Sequence, residues 1–363
     1  RPVTARELVR VLRPGRRASP SAGVTGSGVA SRRPSAPPGA TVADLVAHQG
    51  RVHAVVADAA GLRLVDLAPV ASVDELTRRL RADLQVLANP VLPIPLRDGV
   101  RRSLARGLGR LDELLVRPLG APGPLHVVAG GALVTLPWGL VPSRAGLPTS
   151  VSPRLQLAPV RARGSAAVVL AGPGLGHARA EAEVVAATWP DARLLLGEAA
   201  TTSAAADALR TADVVHLAAH GHHETDNPLF SWVRLADGPL FAHELEGAVL
   251  PGSFVVLSAC EVGRASVRPG GEVLGLASVL LRLGAGAVVA SLAPLRDDVA
   301  ARVMPTLHVL VRRGASPDAA LAAACSGLDE PVPLTCFAPL VVAVPETDAD
   351  AGDDRPGREH RGG

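Results

Sequence analysis

Lysine and tyrosine are absent from this sequence of 363 residues, and methionine occurs once. Without lysine there is no Schiff-base amine and no P-loop lysine, which excludes imine chemistry and the usual form of nucleotide hydrolysis. Aromatic residues make up only 2% of the chain, a level that normally accompanies disorder. The Val, Leu and Ala runs after residue 120 nevertheless have the apolar content and periodicity of packed structure. All basic residues are Arg, and Ala, Gly, Pro and Val dominate, the imprint of a GC-rich genome.

Cysteine is scarce and odd in number: Cys260, Cys325 and Cys336. That set argues against a disulfide framework and for a reducing compartment, so the expected location is the cytoplasm. No run approaches the ~18 consecutive apolar residues of a spanning helix, and no membrane association is expected. A net charge of +3 is too small to imply a nucleic-acid partner, and much of the basic excess sits in residues 1–40, where eight Arg face one acid, Glu7.

That first segment, residues 1–40, reads as a disordered Arg/Pro-rich arm or linker. Residues 41–118 read as a hairpin, RVHAVVAD and LRLVDLAPV joined across Gly61, followed by two amphipathic helices. Residues 119–345 alternate short apolar runs (LHVVAG, AAVVLAG, RLLLG, DVVHLAAH, SFVVLSAC, GAVVASLAP) with helical patterns, and the tail 346–363 is acidic, Gly-rich and loose. Such alternation predicts an α/β fold with a mainly parallel sheet and helices on both faces.

Three constellations invite a chemical reading. Gly172, Gly174 and Gly176 follow a strand and precede a helix, as a dinucleotide-binding loop would, but the spacing of the third glycine is wrong and a plain strand-to-helix turn accounts for them. His216, His220, His222 and His223 superficially resemble zinc ligands; on one extended strand, however, His216 and His220 would lie about 13 Å apart, and no metal or cofactor is expected. No G-x-S-x-G elbow occurs, which leaves the thiols.

His220 ends one apolar run and Cys260 ends another some forty residues later. In open α/β sheets reactive side chains converge at the carboxyl ends of strands. An imidazole there would accept the proton of a thiol whose ordinary pKa of ~8.5 leaves it mostly protonated at neutral pH. Gly221, lacking a Cβ, would let its backbone N–H join that of Cys260 as an oxyanion donor. On the residues alone, the reading of Cys260 as a small buried apolar group and His220 as a satisfied core histidine stands beside this one. Cys325 and Cys336 lack a comparable partner and read as structural.

The motifs HLAAHG and LSACEVG resemble the CHAT domain, a caspase-like peptidase module related to separase. LHVVAGGALVTLPWGLVP, ARAEAEVVAATW and GGEVLGLASVLLRLGAGAVVASLAPLRDD extend the likeness across about residues 41–344. The resemblance implies a caspase-like three-layer sandwich preceded by a small hairpin-plus-helices segment. It also implies a cysteine endopeptidase of bacterial signalling or defence, acting on protein or peptide substrates, with His220 and Cys260 as catalytic dyad, Gly221 and Cys260 as oxyanion donors, and His216 structural. By the same resemblance Asp297, with Asp298 beside it, is placed where a carboxylate would select a basic residue before the scissile bond; capping of the helix that starts there is the alternative. Ala293 replaces the Trp usual in that segment, and Arg296 adjoins the acids. A catalytically silent scaffold remains the alternative function, and an upstream or separate tetratricopeptide-repeat protein is the partner such modules often have.

Overall fold

A computed structural model describes residues 39–159, 164–222, 224, 228–250, 252–258 and 274–342. The N-terminal arm, His223, Cys260 and the acidic tail lie outside the described residues.

Alternating apolar residues build a meander of β1 (Thr41–His48), β2 (Arg51–Asp58) and β3 (Gly61–Pro69). Only the second of its two hairpins was legible in the sequence pattern. The paired helices α1 (Val70–Leu87) and α2 (Ile94–Leu111) follow, each started by a proline that supplies the helical φ without needing an N–H partner. The chain then forms β4 (Leu125–Val128), β5 (Thr149–Ser152) and the short β6 (Leu157–Pro159). Next come β7 (Ala167–Ala171), α3 (Ala178–Thr188), β8 (Arg193–Leu196), α4 (Thr202–Thr211) and β9 (Val214–Ala218). A small side sheet of β10 (Gly221–His222), β11 (Trp232–Leu235) and β12 (Gly238–Phe241) precedes β13 (Phe254–Ser258). The described chain closes with α5 (Leu274–Leu283), β14 (Ala287–Ser291), α6 (Asp297–Arg312), α7 (Pro317–Cys325), β15 (Leu334–Phe337) and β16 (Leu340–Val342).

Eleven strands form one sheet in the order β3-β2-β1-β4-β5-β15-β14-β13-β9-β7-β8. The meander pairings and β14–β15 are antiparallel; all others are parallel. Because β1 pairs with β4, the N-terminal hairpins continue the same sheet.

The central strands are apolar on both sides, as strands covered on both faces must be. Val215, Leu217, Val255, Leu257, Val288 and Ala290 face a core closed by α1, α2, α4 and α5. Val214, Ala218, Val256 and Val289 face a second core closed by α3, α6 and α7. The result is the expected α/β three-layer sandwich with a mainly parallel central sheet.

A buried cation pins the crossover between β4 and β5. Arg144 is only 2% exposed, and its guanidinium donates to the carbonyls of Ala121, Gly123 and Pro148 at 2.8 Å and to Thr149 Oγ1 at 3.0 Å. Next to it, His126 on β4 bridges the Ser150 and Ser152 hydroxyls of β5 at 2.9 and 3.0 Å.

Burial pushes the His126 pKa from 6.5 down to about 4. Below pH 6.5 the unfolded chain takes up a proton at this residue that the folded chain refuses until about pH 4, so stability is lost across that window. The shift corresponds to a loss on the order of 3 kcal/mol. Urea denaturation at pH 7.5 and pH 4.5 is expected to show this decline, and His126→Asn is expected to flatten it. Equal slopes for the two proteins would refute the assignment.

Candidate active site

Parallel register decides which residues meet at the sheet's edge. Ala171 on β7, Ala218 on β9 and Ser258 on β13 lie in one row, and Leu257 pairs with Ala290 on β14. The ladder runs one step further: Gly172 N–H donates to the Ala218 carbonyl at 2.8 Å and Ala219 N–H to the Ser258 carbonyl at 3.1 Å. Half-buried His220 follows at once. Cys260 stands two residues beyond Ser258 in the chain, as His220 stands two beyond Ala218, and lies outside the described residues.

Gly221 is oriented by β11. The Arg234 N–H donates to the His220 carbonyl at 2.8 Å, while Gly221 pairs with Val233. In an antiparallel ladder this makes Gly221 and Val233 a non-hydrogen-bonded pair, so the Gly221 N–H turns away from β11.

The glycine turn between β7 and α3 belongs to the same place. A Cβ on Gly172 would stand 2.4 Å from the Arg234 carbonyl oxygen and 2.9 Å from the Ala219 Cβ. Gly174 has φ +85°, and a Cβ there would stand 3.1 Å from His220 Nε2. Protein atoms, rather than an open cradle for a pyrophosphate, thus occupy the space that these two glycines leave. Gly174 packs against the His220 ring, a contact hidden in a motif that resembled something else.

The histidine cluster disperses. His222 stacks on Trp232 with ring centroids 5.6 Å apart, whereas His216 points into the second core. Among the described residues no group of three or more His, Cys, Asp or Glu could hold a metal ion.

The two acids at the start of α6 also separate. Arg296 clamps Asp298 with bonds of 2.9 and 2.7 Å. Asp297 is half-buried and makes no hydrogen bond or ion pair among the described residues. Ala293 packs at the margin of the first core. Of the remaining thiols, burial pushes Cys325 up to about 12, which leaves it unreactive near neutral pH; Cys336 is buried in β15.

Where β9 faces α3 and α6 lies a polar chain. The Trp189 indole N–H meets His308 Nδ1 at 3.2 Å, and His308 Nε2 meets His216 Nδ1 at 3.1 Å. His216 Nε2 stands 3.0 Å from Glu181 Oε1, off the straight line of a hydrogen bond. All four residues are at most 4% exposed. An indole nitrogen only donates, so His308 Nδ1 accepts and its single proton sits on Nε2. That proton goes to His216 Nδ1, which places the His216 proton on Nε2, facing the carboxylate. Burial first, and neighbouring His216 second, hold the His308 pKa well below its ordinary value, consistent with a neutral ring.

Glu181 and His308 carry a sequence signal that pattern reading passed over. Each sits on an otherwise apolar helix face, Glu181 among Ala178, Ala182 and Val185, His308 among Met304, Leu307 and Val311. A titratable residue on such a stripe needs a buried partner.

These features define a caspase-like α/β protein. The chain belongs to the CHAT domain family, whose model matches residues 82–331. In fold it is similar to two structures of the Saccharomyces cerevisiae separase–securin complex, at 3.0 and 2.6 Å resolution, each with TM-score 0.56 and 9% identity. Each match covers 84% of this chain and 30% of the separase chain, so the protein spans about a third of the length of those relatives. No curated protein matches the sequence.

Trp189→Phe, which removes the indole donor to His308 Nδ1, is expected to cost about 1–3 kcal/mol in chemical denaturation. Nitrogen NMR of the wild-type protein is expected to find Nδ1 of both His216 and His308 unprotonated; a protonated Nδ1 on either would break the assignment.

Proposed function

We propose that the chain is a cysteine endopeptidase in which Cys260 is the nucleophile and His220 its proton acceptor. The observation that carries this reading is the register: the strands leading to the two residues end in one row, and each residue follows its row by two positions.

The chemistry follows from those groups. His220 takes the Cys260 proton, and the thiolate attacks the scissile carbonyl carbon. The oxyanion accepts hydrogen bonds from the N–H groups of Gly221 and Cys260, donors of a kind worth ~10²–10³ in rate. Imidazolium then protonates the leaving amine as the C–N bond breaks, giving a thioester. Water, deprotonated by His220, releases the acid and restores the thiol. Gly174, packed on the ring, limits how far His220 can swing.

Asp297 is the carboxylate to which we assign recognition of an Arg or Lys before the scissile bond; Asp298 is already neutralised by Arg296. The similarity to separase, solved in complex with securin, supports a partner protein that governs access to the crevice. A tetratricopeptide-repeat protein is one such partner.

Purified chain incubated with peptides differing in the residue before the cleavage point is expected to cut after Arg. Cys260→Ala and His220→Ala each lower kcat/KM by several orders of magnitude. Asp297→Asn lowers it on Arg substrates by about 30-fold or more, and Asp298→Asn changes it little. Cleavage that survives Cys260→Ala refutes the nucleophile. Should the isolated chain be latent, iodoacetamide at pH 7 is expected to label Cys260 first; labelling no faster than at Cys325 makes the chain a silent scaffold.

A further inference from the structure

An open cleft lies between the α1–α2 turn, the segment joining β14 to α6, and the approach to β15. Leu84, Leu87, Leu295 and Val299 form its apolar floor, and Arg97, Arg101 and Arg296 stand around it. The turn beside it exposes Val91 at 81%, Ile94 at 74% and Leu96 at 59%.

The three guanidiniums are not equally engaged. Arg296 is held by Asp298 and approaches Glu330 at 4.0 Å. Among the described residues the Arg97 guanidinium reaches the carbonyls of Asn89 and Pro90, at 3.2 Å each, and no carboxylate. Arg101 makes no hydrogen bond or ion pair among the described residues, although its Nε is closed off from water. The terminal nitrogens of Arg101 are not shut in as its Nε is, and their planar fork of donors matches a carboxylate.

We infer that this cleft docks an acidic peptide segment of a partner protein, its carboxylates on Arg101 and Arg97 and an apolar side chain on the Leu84, Leu87 and Leu295 floor. Charge complementarity selects the occupant: two arginines lack carboxylate partners, and the apolar rim calls for an amphipathic ligand. An anionic lipid surface fits less well, because Glu330 lines the cleft and Asp298 stands against Arg296. The cleft takes in Leu295, Arg296 and Val299, which flank Asp297, but binding there does not require cleavage, so its failure would leave the Cys260 assignment standing.

The test is fluorescence anisotropy of the full chain with a labelled peptide of alternating Leu and Glu. Saturable binding is expected, weakened about tenfold or more when Leu is replaced by Ser, or when Glu is replaced by Lys. Arg101→Glu and, separately, Arg97→Glu each weaken it about tenfold, while Arg101→Lys retains most of it. Unchanged binding in both reversal variants, or none at millimolar peptide, overturns the inference. So does tighter, Arg101-dependent binding to phosphatidylserine vesicles than to the peptide. Truncation after Pro345 tests the chain's own acidic segment, residues 346–354: a tenfold gain in peptide affinity on truncation would make that segment, not a partner, the occupant.

Discussion

The candidate site depends above all on register. Four parallel strands, β7, β9, β13 and β14, are hydrogen-bonded in step, so whatever follows their last residues is delivered to one edge of the sheet. A slip by one residue would turn His216 from one core to the other and move His220 off the row. Side-chain chemistry enforces the step, because His216 among the buried residues of β9 must face His308 and Glu181, which lie on one side of the sheet.

Below that row the polar chain from Trp189 to Glu181 ties three elements together. Trp189 closes α3, His308 lies in α6 and His216 in β9, so one sequence of contacts joins both helices to the strand that ends at His220. Because its first member only donates, the chain has a single direction, and a fold with the wrong helix packing would leave buried nitrogen and oxygen unpaired. Arg144 does the same for the β4–β5 crossover with four acceptors.

Much of this was legible in the sequence where a residue's role is set by local pattern. Apolar runs such as DVVHLAA and SFVVLSA became central strands, and the helices before and after them formed as periodicity predicts, since strands buried on both faces leave few alternatives. What escaped was set by distant neighbours. TVADLVAH precedes the expected hairpin and becomes β1 because it pairs with β2 on one side and β4 on the other. Antiparallel insertion of β15 between β14 and β5 has no local signature. The glycines at 172 and 174 looked like a phosphate turn because a close approach by Arg234 and His220 demands the same residue type as a close approach by a ligand. Likewise, Asp297 and Asp298 were indistinguishable until Arg296 was seen to choose one of them.

The sheet does not close on itself. Among the described residues it is, at roughly 4.8 Å per strand, close to 50 Å wide and ends at β3 and β8, of which β3 is the longer. That border presents Leu64 at 73% exposure and Leu62 at 45%, an invitation to templated growth by a second chain. What discourages it is charge set into the border itself: Arg63 bonded to Asp58, and Asp66 to Arg51. Neutralising those pairs would leave the His220 row untouched and remove the charge that opposes strand-on-strand growth at β3.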